Sequence, residues 1–201
     1  MVLRSDLTLP PDCTGDEIVV LGGVTWADYA RLLAERGESS RPCIAYLEGT
    51  LELRSPSRGH ENLEVVIGRL VETWCLHRGV EFRSLGHWTL EDEAVARGVE
   101  PDGCYIIGVE DRHRPHLAIE VEWTRGGLDK LEIYRLLDVP EVWRWRGGRV
   151  RVYVLRGDAY QEAPRSEVLP GIDLAHLTTF LDRPLTSQAI REYGDALRAQ
   201  G

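Results

Sequence analysis

The sequence has little of what would place it in a membrane, a secretory route or thiol chemistry. No apolar run approaches the ~20 residues that cross a bilayer. The start, Met1-Val2-Leu3-Arg4-Ser5-Asp6, lacks the charged and apolar regions of a signal peptide. A cytoplasmic location is therefore expected. Cys13, Cys43, Cys75 and Cys104 are widely spread with no C-x-x-C pair, which argues against a disulfide framework and against zinc held by thiolates. Three of them fall in apolar patterns and read as small buried hydrophobes. There is no internal repeat, low-complexity tract or linker, and no Ser-His-Asp order, P-loop or dinucleotide fingerprint. Hydrophobic residues make up 43% and charged residues 28% of the chain, an ordinary globular balance. One domain over residues 1–201 is expected, with an irregular leader at 1–16 and a C-terminal helix at about 186–199.

Positive charge is also scarce. The net charge is −9, which is awkward for a protein that neutralises phosphates, although distribution matters more than the total. Arginines gather at Arg144, Arg146, Arg149 and Arg151, where a solvated edge strand explains them equally well. Lysine is scarcer still: Lys130 stands alone against 23 arginines. Codon bias accounts for most of that skew. Yet an ammonium is a compact charge with a shiftable pKa, which a planar guanidinium does not replace.

What is present centres on acids inside apolar runs. In His116-Leu117-Ala118-Ile119-Glu120-Val121-Glu122, period two sends Leu117, Ile119 and Val121 to one face and Glu120 and Glu122 to the other. An unpaired carboxylate in a buried strand is costly, so Glu120 needs a partner. Asp102, in Glu100-Pro101-Asp102, raises the same question because it enters the apolar run Cys104-Tyr105-Ile106-Ile107. Ordinary ion pairs with arginine would answer it. So would a hard divalent cation, Mg2+ or Mn2+, shared by carboxylates at the ends of neighbouring strands. Two acids and a lysine are the minimal set for metal-assisted phosphodiester hydrolysis.

Along the chain, Thr25 caps a helix with Trp26, Tyr29, Leu32 and Leu33 at helical spacing and Gly37 past its end. Cys43–Glu48 and Thr50–Arg54 form a hairpin, in which Glu52 faces away from Leu51 and Leu53. A helix over about residues 60–78 buries Leu63, Val66, Ile67, Leu70 and Trp74. Glu61 and Glu64 read as helix-dipole acids, and His60 is balanced between a structural and a functional role. Val80–Leu90 holds a strand, followed by a solvated loop at Glu91-Asp92-Glu93. Gly126-Gly127 either admits an anion or makes a plain turn before a helix at Leu128–Leu137. Glu141–Trp145 and Arg149–Leu155 form a second hairpin with a short third strand after it, and Thr186 or Ser187 caps the last helix. The alternation predicts an α/β fold. A mixed central sheet, flanked by helices and carrying added β-hairpins, would hold Asp102 and Glu120 on adjacent strands.

Pro101-Asp102 followed by Glu120 resembles the PD-(D/E)xK nuclease superfamily, with Glu122 where that motif has lysine. The chain is more similar to the Uma-two family of restriction-endonuclease-like proteins, in which the lysine lies on the following helix, four residues before a tyrosine. Lys130 and Tyr134 fit that spacing. Tyr46-x-x-Gly49-Thr50-Leu51-Glu52, Ser55-Pro56-Ser57 with His60-Glu61, and Val139-Pro140-Glu141-Val142-Trp143 match in order, over roughly residues 25 to 185. The resemblance implies a restriction-endonuclease-like fold and a Mg2+- or Mn2+-dependent endonuclease. Asp102 and Glu120 would be the metal ligands, Lys130 would assist, and His60 would border the site. Glu52, Glu122 and Tyr134 are further candidates. Nucleic acid is the implied partner, DNA ahead of RNA, with a homodimer as a candidate assembly and no membrane. The alternatives are an RNA-directed nuclease and a catalytically silent module that binds nucleic acid or protein. Glu122 is expected to pair with Lys130 or an arginine when no metal is bound.

Overall fold

A computed structural model of the chain describes residues 15–86 and 88–200. The expected leader, apart from Gly15 and Asp16, and Cys13 lie outside the described residues. The first element is one that alternation does not announce. In β1 (Glu17–Gly22), Val19, Val20 and Leu21 are each about half exposed; β1 forms the edge of a sheet, so neither face is fully covered. α1 (Trp26–Arg36) begins as expected: Thr25 and Asp28 exchange side-chain and backbone bonds in a capping box, and Gly37 closes it at φ 61°. β2 (Cys43–Leu47) and β3 (Thr50–Ser55) pair as the expected hairpin. Its two-residue loop, Glu48 and Gly49, has φ of 45° and 88°, the backbone a primed hairpin turn needs and glycine tolerates. α2 (Arg58–Arg78) is capped by Ser57 and buries the predicted stripe.

The single strand expected over Val80–Leu90 is two. β4 (Phe82–Ser84) and β5 (Leu90–Asp92) join different sheets. The acids Glu91-Asp92-Glu93, read as a solvated loop, end β5 and open a 3-10 turn at Glu93–Val95. β6 (Arg97–Val99), β7 (Gly103–Ile107) and β8 (Leu117–Val121) follow. α3 (Lys130–Leu136) starts at the lone lysine, with Asp129 as its cap. β9 (Glu141–Arg146), β10 (Arg149–Arg156) and β11 (Ala159–Ala163) form the second hairpin and its third strand. α4 (Leu174–Thr178) leads to α5 (Thr186–Ala199). Neither Thr186 nor Ser187 caps α5. Its N-cap is Leu185, which makes no side-chain bond, and burial of Ala189, Tyr193 and Leu197 holds the helix instead.

The fold is α/β, with two sheets and flanking helices. The mixed sheet has the order β11-β10-β9-β8-β7-β4 and is antiparallel except where β8 runs parallel to β9; α3 is part of that parallel crossover. The second sheet, β1-β3-β2-β6-β5, is antiparallel throughout. The arginine-bearing strands are therefore not edges: β9 lies inside the mixed sheet and β10 is covered by β11. Leu117, Ile119 and Val121 pack with α2 and α5 in the largest apolar cluster, while Ala118 faces Ala45, Leu90, Val99 and the α3 residues Ile133 and Tyr134. The period-two reading of β8 holds, and it turns Glu120 toward α3 and the second sheet. No described helix is long and apolar enough to cross a membrane.

Candidate active site

Register brings the two predicted acids together. Gly103 on β7 pairs with Ile119 on β8, so one more step sets Asp102 opposite Glu120, the close cross-strand relation of an antiparallel pair. Both are buried, at 2% and 3% exposure. Two buried carboxylates cost several kcal/mol each unless cations and donors compensate them, and every oxygen is engaged. Asp102 accepts from Arg54 Nη2 at 2.8 Å through Oδ1 and from the Val121 backbone N–H at 2.8 Å through Oδ2. Glu120 accepts from Lys130 Nζ at 2.6 Å through Oε2 and from the Tyr134 hydroxyl at 2.5 Å through Oε1. Arg54 Nη2 also stands 3.6 Å from Glu120 Oε2, so one guanidinium bridges the two acids.

α2 supplies the next layer. His60 is fully buried; Nδ1 lies 2.8 Å from Asp16 Oδ2 and Nε2 lies 3.1 Å from Asp102 Oδ2. The second contact is close enough for an ion pair but lacks the alignment of a hydrogen bond. Asp16 is fixed by a donor on one side and an acceptor on the other: its Oδ1 accepts from Ser57 N at 2.9 Å, and its own N–H donates to Thr124 Oγ1 at 2.7 Å. Burial opposes a charged imidazole, yet the Asp102 and Asp16 carboxylates beside its two ring nitrogens outweigh it and raise the His60 pKa. Burial would likewise raise the Asp102 carboxyl. The Arg54 charge, then His60 and Lys130, overcome that and hold it well below the usual range. Burial, with the Glu120 charge beside it, pushes the Tyr134 phenol well up, so Tyr134 keeps its proton and donates it.

The remaining candidates divide. Glu52, expected to face away from the core-facing leucines, does so and is nonetheless buried at 4% exposure; its Oε2 accepts from Leu128 N at 2.6 Å. The same carboxylate explains the second of the two glycines: a Cβ on Gly127, at φ 91°, would overlap Glu52 Oε2. Glu122 pairs with Arg144 and sits 3.5 Å from Arg146; it does not reach Lys130, which is held by Glu120. Glu100 accepts a two-pronged bond from Arg36 at 2.6 and 2.5 Å, and further bonds from Thr89 and Ile44 N, a structural clamp beside the site. Sequence reasoning missed Arg54 and Asp16. The signal for Arg54 was there, since Glu52 and Arg54 share the face of β3 opposite Leu51 and Leu53. Asp16, placed in the leader, carried no signal.

The donor set suits a hard divalent cation. Asp102 and Glu120 offer oxygens on opposed positions, and Arg54 already places a positive charge between them. His60, Glu64 and Asp102 form a group whose candidate ligand atoms all lie within 4.8 Å of one another. An ion bound by Asp102 and Glu120 would take over the charge that Arg54 now supplies.

Set against known proteins, the sequence matches the model of one family, Uma2, described as "Putative restriction endonuclease", over residues 26–183. A solved structure from Anabaena variabilis, described as "a putative nuclease", is similar at 15% identity and a TM-score of 0.49, covering 85% of this chain and 99% of its own. No curated protein matches.

Proposed function

The chain belongs to the Uma2 family, and from that premise we propose that it is a divalent-metal-dependent phosphodiesterase of the endonuclease type. Its substrate is nucleic acid, DNA ahead of RNA. The observation that carries this reading is the bond from the only lysine to the buried Glu120, 2.6 Å long, beside Asp102 in the opposed register position. Asp102 and Glu120 are the residues that would hold Mg2+ or Mn2+. Such an ion, when bound, polarises a phosphate and lowers the pKa of a water.

The chain's own groups have separable roles. Tyr134 donates to Oε1 of Glu120 and leaves Oε2 turned toward Lys130. Lys130, at the first position of α3, brings an ammonium that donates to a phosphate oxygen or to the attacking water. His60, backed by Asp16, orients Asp102. Arg54 compensates both acids and, once released from them, is placed to contact a phosphate. A cytoplasmic location and a homodimeric assembly belong to the same proposal.

The test is cleavage of plasmid DNA and of single-stranded RNA with Mg2+ or Mn2+. Lys130→Arg should lose about 10²-fold or more in rate, the cost of one charge-stabilising donor, because a guanidinium has another shape and keeps its proton. Near wild-type cleavage by Lys130→Arg would reduce Lys130 to an ion-pair partner. One observation favours a second reading, a silent module that binds nucleic acid without cutting it: Arg54 and Lys130 together balance the charge of the two acids from within the protein. Nucleic-acid binding with no cleavage in all four combinations of substrate and ion selects that reading.

A further inference from the structure

Glu122 occupies the position where the motif has lysine, and its surroundings account for an acid there. Arg144 and Arg146 are two apart on β9 and share a face, while Trp143 between β8 and β10 goes to the core. The parallel register sets Glu120 opposite Arg144, and Glu122 N donates to Trp145 O at 2.9 Å, carrying the ladder one step past β8. The Glu122 carboxylate thus lies between two guanidiniums, Oε1 on Arg144 and Oε2 3.5 Å from Arg146 Nη1. The same side chains, with Arg125, Gly126 and Gly127, line a cavity of about 340 Å³. A narrower cleft shares Glu122, Gly126 and Arg144 with it and reaches Glu120 and Lys130. Asp129 also borders the cavity, but its Oδ1 is committed to the start of α3, accepting from Leu131 N at 3.2 Å.

We infer that Arg144 and Arg146 form a binding subsite for a backbone phosphate of nucleic acid, and that Glu122 fills this subsite in the free protein. The choice of nucleic acid rests on the function proposed above. A guanidinium accepts carboxylate and phosphate oxygens in the same geometry, so an internal carboxylate is a fitting stand-in. The pairs are displaceable because Arg144, Glu122 and Arg146 side chains keep 27%, 25% and 52% of their exposure, and water screens such pairs. The Lys130–Glu120 bond, in contrast, is buried. Three arginines face Glu122 and Asp129 across the cavity, so removing the Glu122 charge doubles the local positive excess. The cleft then leads the neighbouring phosphate to the Glu120–Lys130 centre. The subsite also answers how a chain of net charge −9 meets a polyanion, through a local guanidinium pair that substrate uncovers.

The experiment is fluorescence anisotropy with a labelled single-stranded DNA and an RNA of the same sequence, in chelator so that nothing is cut. Glu122→Gln should tighten binding about three- to tenfold at low salt and steepen the salt dependence by about one phosphate contact. Arg144→Gln or Arg146→Gln in that background should abolish the gain. Glu122→Ala and a thermal melt of each variant check that the fold is kept. Equal affinity of wild type and folded Glu122→Gln, no binding of either strand, or an equal gain toward poly-glutamate would overturn the inference. The DNA and RNA arms tell which backbone the subsite serves. Cleavage is not read: a gain in affinity without nuclease activity leaves the subsite standing, and cleavage without the gain sinks it alone.

Discussion

Glu64 lies one turn along α2 from His60, and burial, then the charge of Asp102, pushes its carboxyl up to about 7. A carboxyl raised on folding binds its proton more tightly in the folded state than in the unfolded one. Its contribution to stability is complete below the ordinary value of 4.5, and it is lost as pH rises from there through about 7. In chelator, Glu64→Gln should remove that decline and be the more stable protein at pH 8, by on the order of 1 kcal/mol after discounting for partial exposure. Denaturant titrations of both proteins at pH 4.5 and pH 8 check this; a wild type that loses nothing relative to Glu64→Gln over that window would contradict it. At this scale the sequence was informative where a polar group broke an apolar pattern. Glu120 stood out in a buried strand, and Lys130 by being alone. Arg54 was harder, because an arginine on a strand face carries no contradiction until its neighbours are known. Asp16 was invisible, since nothing local distinguishes it from any loop acid.

At the scale of elements, Glu141 shows a buried acid held by neutral donors. It opens β9 at 0% exposure and accepts from Trp143 Nε1, Ser166 Oγ, Glu167 N and Val168 N. These donors tie the segment after β11 to the mixed sheet. Glu141→Ala would strand them, and the expected cost is about 2–4 kcal/mol; urea unfolding followed by tryptophan fluorescence measures it, and a loss under about 0.5 kcal/mol would show the clamp to be idle. Helices with a cap and a stripe, α1 and α2, were legible to within two residues. Short strands were not. β5 and β6 are three residues each and take their identity from a partner across the sheet, so no local period reveals them. β1 is apolar on both faces, and α5 starts without the side-chain cap its sequence offers.

The whole molecule converts distance along the chain into one buried cluster. Asp16, Arg54, His60, Asp102, Glu120 and Lys130 come from six separate elements or loops, and no single stretch carries the centre. What the sequence made visible was the order of motifs; the register of β7 against β8 and the packing of α3 against Glu120 supplied the contacts. Arg54 between the acids is the point on which the account turns, because a metal must take over its role. Calorimetric titration of Mn2+ into the wild type, Asp102→Asn and Glu120→Gln tests this most directly, with thermal melts confirming that each variant is folded. The account predicts a saturable site of one ion in the wild type that is lost in both variants. No binding heat in the wild type, or wild-type affinity in folded Asp102→Asn or Glu120→Gln, would contradict it.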